Sequence, residues 1–188
     1  MQPCSFLAFG TMRWFLLAIF IGIVFGADTG KKSMLKRYKH VLAKERYWMK
    51  WRSYVDILPH NKNKTCVYFK KEGKITESIK LSECFKHFDE SRACVLWTVK
   101  LEEEDERMTM HQETSNDPIA KVWKFKYWNK TDHCFLLTSA QETDKNECEL
   151  HLFGTNAPTE APSCQQEYSK ICTGREYNVF PEECHTTN

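Results

Sequence analysis

From Cys66 to Phe153 the chain runs in short stretches that alternate apolar and polar side chains. These are Cys66 to Lys70, Thr76 to Leu81, Ala93 to Leu101, Arg107 to Glu113, Ile119 to Trp128, His133 to Thr138 and Cys148 to Phe153. A period of two places successive side chains on opposite faces of a β-strand. Residues 45–57, dense in Tyr and Trp, supply one more strand ahead of the loop "LPHNKNKT". Turn-forming segments such as "KKEGK", "SNDP" and "AQETDKN" separate the stretches. Eight short strands in series predict an antiparallel barrel or sandwich. Two segments have a different period. Leu35, Tyr38 and Leu42 recur at helical spacing within the basic residues 28–44. In "APSCQQEYSKICTG", Cys164, Tyr168, Ile171 and Cys172 share one helical face, with Ser163 as candidate N-cap and Gly174 as candidate C′ residue. The acidic run Glu102 to Glu106 reads as a solvated hairpin end.

The first residues stand apart from this pattern. Trp14 to Phe25 is an almost unbroken apolar run, preceded by Arg13 and followed by Gly26 and Ala27. That is the form of a secretory signal peptide over residues 1–26, whose 12-residue apolar run is shorter than the roughly 20 residues a membrane span needs. Removing 26 of the 188 residues leaves 162, enough for one domain over residues 27–188. The leader holds one basic residue and no acid, so the formal charge falls from +2 to +1. Such a balance gives no reason to expect nucleic acid or a membrane surface as partner. One of the nine cysteines, Cys4, leaves with the leader, and eight remain. An even number in an exported chain predicts disulfides. With no CxxC pair and no zinc-finger His pair, no structural metal is expected. Asn63 and Asn129 begin sequons, which predicts glycosylation at both.

Alternation also predicts an inside and an outside. A late helix must pack on the outer wall of an up-and-down barrel, because an eight-stranded barrel is too narrow to hold it. If Cys164 and Cys172 bond to the nearest strand cysteines, Cys134 and Cys148, those point outward as well. Glu149 and His151 then point inward, as do Phe135 and Leu137. The same rule along the other strands puts Val67, Phe69, Val95, Trp97, Val99, Leu101, Trp123, Phe125 and Tyr127 inside, joined by Met108 and Met110. An interior of aromatic and aliphatic walls with one carboxylate, one or two imidazoles and a phenol has the profile of a small-molecule pocket. The bland counterpart is a ligand-free core in which Glu149 and His151 pair with each other.

"CELHLFG", the short linker to "PSCQQEYSKIC", and the ending "GREYNVFPEEC" resemble the tick salivary lipocalins of the histamine-binding type. The resemblance implies an eight-stranded antiparallel up-and-down lipocalin barrel with a C-terminal helix packed outside. It implies the disulfides Cys66–Cys184, Cys134–Cys164 and Cys148–Cys172, which leaves Cys84–Cys94 to link two strands across a turn. It implies capture of a host mediator at the feeding site: histamine, serotonin, a leukotriene or another lipid, and in some members a host immune protein such as complement. Glu149 matches the family's pocket glutamate. His151 stands where an amine binder has Trp, and Phe135 where it tends to have an acid.

The expected ligand-binding residues are therefore Glu149, His151, Trp97, Trp123, Phe125, Tyr127, Phe135, Met108 and Met110. One interior acid suits a mono-amine, or a lipid with one polar end, better than the histamine dication. An amine would use Glu149 and the rings of Trp97, Trp123 or Tyr127. A lipid would set its head on His151 and Tyr127, and its tail on Met108, Met110, Phe125 and Phe135. No nucleophile motif such as GxSxG is present, so neither an enzyme nor a cofactor is expected. The other class of function is a protein-binding immunomodulator that uses loops 56–65 or 102–106 on the barrel as scaffold. A monomer is expected.

Overall fold

The computed structural model describes residues 33–44, 46–58, 62–87, 91–113, 120–141, 147–154 and 160–186. The expected leader and the "SNDP" turn lie outside the described residues, as does the side chain of Asn63. Helix α1 spans Met34–Lys44. It is followed by strands β1 (Tyr47–Arg52), β2 (Ile57–Leu58), β3 (Lys62–Asn63), β4 (Thr65–Glu72), β5 (Ile79–Lys86) and β6 (Arg92–Glu102). Then come β7 (Arg107–Gln112), β8 (Ala120–Asn129), β9 (Cys134–Ser139), β10 (Cys148–Phe153), helix α2 (Pro162–Ile171), β11 (Tyr177–Asn178) and a 3₁₀ turn, Glu182–Thr186.

Strands β1 and β4 to β10 pair with their neighbours in antiparallel order, and β10 closes on β1 with Tyr47 opposite Phe153 and Arg52 opposite Glu149. The result is a closed eight-stranded barrel, which leaves no long unpaired edge. Where β4 diverges from β1, β11 takes its place beside Trp51 and Arg52. The strands β2 and β3 form a separate two-stranded ribbon in the loop between β1 and β4.

Alternation divides the barrel walls as the parity argument expects. Phe135, Leu137, Val67, Phe69, Trp97, Val99, Met108, Met110, Trp123 and Phe125 are buried in the inner core. Cys134, Leu136, Cys148, Leu150 and Leu152 are buried in a second, outer cluster with Cys164 and Tyr168 of α2 and with Cys172 at its C-cap. Four disulfides join Cys66–Cys184, Cys84–Cys94, Cys134–Cys164 and Cys148–Cys172, the four expected pairs. Two of them tie α2 to the outer faces of β9 and β10.

Helix α1 closes one end of the barrel. Leu35, Tyr38, Val41 and Leu42 are buried in the inner core at helical spacing. The Tyr38 ring lies 5.0 Å from Phe125 and 5.6 Å from Phe135, and its hydroxyl meets that of Tyr47 at 2.6 Å. The acidic hairpin end between β6 and β7 holds this helix, and so does more than face solvent. Glu106 accepts from the backbone N–H of Met34 at 2.9 Å, and Glu103 pairs with Lys39 at 2.7 Å. An acidic group on a helix N-terminus meets an unsatisfied N–H and the positive end of the macrodipole.

Three expectations are corrected. Tyr127 does not point inward. A β-bulge in β8 shifts the register between Phe125 and Tyr127, so one extra residue inverts the alternation beyond it. Tyr127 packs against the outer cluster, and Trp128 turns inward, its ring stacked 5.5 Å from Phe135 and 4.8 Å from Phe153. Ser163 is not the N-cap of α2. Ala161 is, with Pro162 in the first helical turn, where a missing N–H costs nothing. Ser163 instead gives its backbone N–H (2.8 Å) and its hydroxyl (2.5 Å) to Asp132 Oδ2 in the turn between β8 and β9. Finally, β5 begins three residues later than its alternation suggested, because Thr76–Ser78 form a turn closed by Thr76 Oγ1 donating to the Ser78 carbonyl.

Candidate functional site

Strand β5 also runs on to Lys86, past the expected end at Leu81, and its inner row brings Glu83 into the barrel. Ile79, Leu81, Glu83 and Phe85 form its inner row, and Glu83 is only 2 % exposed. Sequence reasoning missed this residue, although outward-facing Cys84 implied it by the same parity used for Glu149. A second omission is Lys121. It sits opposite Met110 in the β7–β8 ladder and shares the inner row of Trp123 and Phe125. A third is Arg52. A bulge in β1 between Met49 and Trp51 sends Trp51 out against Tyr168 of α2 and turns Arg52 in, opposite Glu149, at 1 % exposure.

The interior therefore has two layers. Next to α1 lies an aromatic layer. Tyr47 stacks on Phe69 at 4.8 Å, and Phe125 sits 5.8 Å from Phe135. His151 stacks on Phe135 at 4.8 Å and meets the edges of Tyr47 and Phe69. Towards the other end, called the mouth here, lies a layer of charge. Glu149 Oε2 meets His151 Nε2 at 2.8 Å, and Glu149 Oε1 accepts from the Tyr54 hydroxyl. Glu83 Oε2 accepts from the Trp97 indole N–H at 2.9 Å, and its Oε1 lies 3.3 Å from Lys64 Nζ. Lys64 Nζ also reaches Asp56 at 3.1 Å. Arg52 gives Nη2 to the carbonyls of Asp56 and Lys64, each at 3.4 Å, and its Nη1 lies 3.7 Å from Asp56 Oδ2. The ammonium of Lys121 stands over the Trp97 ring, 5.3 Å from its centroid.

An ionised group out of water is costly unless it is compensated. Here the compensation is mutual. Burial disfavours ionisation of Glu149, but the hydrogen bond and charge of His151, then Lys121 and Tyr54, outweigh it and hold the carboxyl below its usual range. Burial likewise opposes the charge of Asp56, and Lys64, Lys121 and Arg52 together hold its carboxyl low. Burial also opposes the charge of Lys121, yet Glu83, Glu149 and Asp56 hold its ammonium above the ordinary lysine value. Burial and the neighbouring Glu149 charge push the Tyr54 phenol well up, so it stays a donor. Three carboxylates thus face three basic side chains at the mouth, flanked by a cleft of about 270 Å³ along Tyr54, Asp56, Lys121 and Trp123. Among the buried atoms, Arg52 Nε and Nη1 and His151 Nδ1 have no hydrogen-bond partner. A polar layer with spare hydrogen-bonding capacity can orient a ligand's polar group.

The expected site residues divide accordingly. Glu149, His151, Trp97 and Trp123 come together in or beside the charged layer. Phe125, Phe135 and Met108 belong to the packed interior, with Met110 opposite Lys121, and Tyr127 lies outside. Asn129 gives its side-chain amide to Ser163 Oγ at 2.7 Å and to the Tyr127 hydroxyl at 3.4 Å. Among the described residues, no group of three or more His, Cys, Asp or Glu is placed to hold a metal, and no helix is long and apolar enough to cross a membrane.

A closed up-and-down barrel, plugged by one helix and braced outside by another, is the ligand-binding lipocalin architecture. The chain belongs to the tick histamine-binding protein family, whose model matches residues 27–186. No curated protein matches it. Among solved structures its fold is similar to Japanin from Rhipicephalus appendiculatus bound to cholesterol, at 14 % identity and a TM-score of 0.58, over 77 % of this chain and 97 % of that one. It is also similar to lobster apocrustacyanin A1, at 9 % identity and a TM-score of 0.57, over 82 % and 88 %. A third is H1 crustacyanin from the lobster Homarus americanus, at 12 % and 0.52, over 76 % and 82 %.

Proposed function

We propose that this protein is a secreted scavenger of a small amine mediator, bound at the mouth of the barrel with its ammonium among Glu149, Glu83 and the faces of Trp97 and Trp123. In that role it removes a host signal at the tick's feeding site and blunts inflammation there. The observation that carries the reading is a pair of buried carboxylates, Glu83 bonded to the Trp97 indole and Glu149 to Tyr54, whose ring lies 6.2 Å from Trp123, above an aromatic layer that the protein fills with its own side chains. Ammonium groups are recognised by carboxylates and aromatic faces together. Because part of the charge is already compensated by Lys64, Lys121 and Arg52, a single ammonium fits better than a dication.

A lipid is the second reading, favoured by the likeness to Japanin, whose solved structure is bound to cholesterol. Against it, the Phe125 and Phe135 rings that would line a tail are in contact with Tyr38 of α1, so a tail would have to displace the plug. Export depends on a leader over residues 1–26, with residues 27–188 as the mature domain. Intact mass of the exported protein reads out both the cleavage site and sugars on Asn63 and Asn129.

The test is calorimetric titration with serotonin, tryptamine, histamine, a leukotriene and cholesterol, on wild type and Glu149→Gln. The variant keeps the shape and removes the charge. An amine should lose about 1.5–3 kcal/mol, roughly 10- to 150-fold in affinity, the range for a hydrogen bond to a charged group. A lipid should lose little. Amine binding that ignores Glu149→Gln would overturn the assignment. Failure of every small molecule, with capture of a host immune protein instead, would favour the barrel as a scaffold.

A further inference from the structure

Lys121 lies on the inner row of β8, where its side chain lines the cleft with Tyr54, Asp56 and Trp123. Its cross-strand neighbour Met110 and its row-mates Trp123 and Phe125 all face inward, so its direction follows from the ladder. Its ammonium sits over the face of Trp97, and the edge of that same indole donates to Glu83. One aromatic ring thus carries a cation on its face and a carboxylate on its edge, the arrangement expected around an amine ligand. The flexible stem is half-buried, and it leads out towards the cleft by Tyr54 and Asp56.

We infer that Lys121 is the site's own cation: its ammonium occupies the position formed by the Trp97 face and the carboxylates of Glu83, Glu149 and Asp56, and any amine using that position must displace it. Lys121 is then a specificity-determining residue. With its own cation in place, the site keeps its buried carboxylates compensated without ligand. A ligand gains only the difference between its own ammonium and that of the lysine, so a single amine that adds no other contact binds weakly. The displaced side chain has a route to water, because a long stem can keep its charged end at a wet rim while its methylenes stay packed.

The inference rests on the charged layer and deepens the amine reading, but the two fail separately. Lys121→Ala removes stem and ammonium together, and n-butylammonium at millimolar concentration should refill the space. Thermal unfolding should show butylammonium raising the midpoint of the variant more than that of wild type, with n-butanol as the neutral control having no such effect. Equal shifts in both proteins, or an equal shift from butanol, overturn the inference. If Lys121→Ala does not fold, Lys121→Met keeps the stem and loses the charge. Its midpoint should fall below wild type at neutral pH, with the gap closing as the carboxylates of Asp56 and Glu149 take up protons. A gap that does not vary with pH overturns the inference. With serotonin as probe, Lys121→Met should bind roughly 2- to 30-fold more tightly than wild type, since the ligand no longer competes for the ring. Serotonin and histamine silent on every protein, with the butylammonium rescue or the pH-dependent gap intact, would retire the amine reading and leave the role of Lys121 standing.

Discussion

Replacing Glu149 by Gln tests whether the charged layer also holds the barrel together. The carboxylate is 4 % exposed and makes two contacts, Oε1 with the Tyr54 hydroxyl and Oε2 with His151 Nε2. A glutamine oxygen can still accept from Tyr54, so one charge-assisted bond is lost, that to His151. Such a bond contributes about 1.5–3 kcal/mol, a large share of the 5–15 kcal/mol typical of a whole domain. For a chain of this size the unfolding midpoint should fall by roughly 3–12 °C. The pH dependence sharpens the test. Burial works against the charge on Glu149, but His151, Lys121 and Tyr54 prevail, and its folded pKa lies below that of an unfolded glutamate. A depressed carboxylate stabilises fully above its unfolded pKa of about 4.3, and the contribution is lost as pH falls through the folded value. The difference between wild type and variant should shrink in acid, as pH falls below the unfolded value and on through the folded one. Urea unfolding followed by tryptophan fluorescence across this range measures it, provided the slope m is unchanged. A variant more stable than wild type at pH 7 would refute the reasoning, because it would mean that desolvation of the pair outweighs its attraction. So would a difference that does not vary with pH.

The disulfides should rank by the loops they close. Cys66–Cys184 spans 118 residues and Cys84–Cys94 spans 10, so the chain-entropy relation gives about 5 and about 3 kcal/mol for their loss as paired Ala variants, measured by urea unfolding. Tyr127→Phe should leave amine affinity unchanged in calorimetry, because the ring packs on the outer wall. Trp97→Phe should weaken it, since Glu83 loses its indole donor and the ammonium exchanges an indole face for a weaker phenyl one. Asp132→Ala should speed amide exchange in the first turn of α2, where it removes the acceptor for both the backbone N–H and the hydroxyl of Ser163. Equal exchange in both proteins would show that Pro162 and the disulfides alone hold that turn.

Much of this protein was legible along the chain. Period-two alternation locates a strand from its own side chains alone, and parity from Cys134 and Cys148 correctly put Phe135, Glu149 and His151 inside. Helical spacing found Leu35, Tyr38 and Leu42, although only their packing against Phe125 and Phe135 makes α1 a plug. Parity is a local count, however, and it survives only while each strand keeps its phase. The bulge in β8 inserted one residue and exchanged Tyr127 for Trp128; the bulge in β1 turned Arg52 inward. Such shifts depend on where neighbouring ladders pull the backbone out of register, which no single strand records. Glu83 and Lys121 escaped for another reason. A charged residue on an inner row is read as a strand end or a solvated face, because burial of one charge alone is costly. Only the closed barrel brings Asp56, Glu83 and Glu149 against Arg52, Lys64 and Lys121 from strands and loops far apart in sequence, where each makes the burial of the others tolerable.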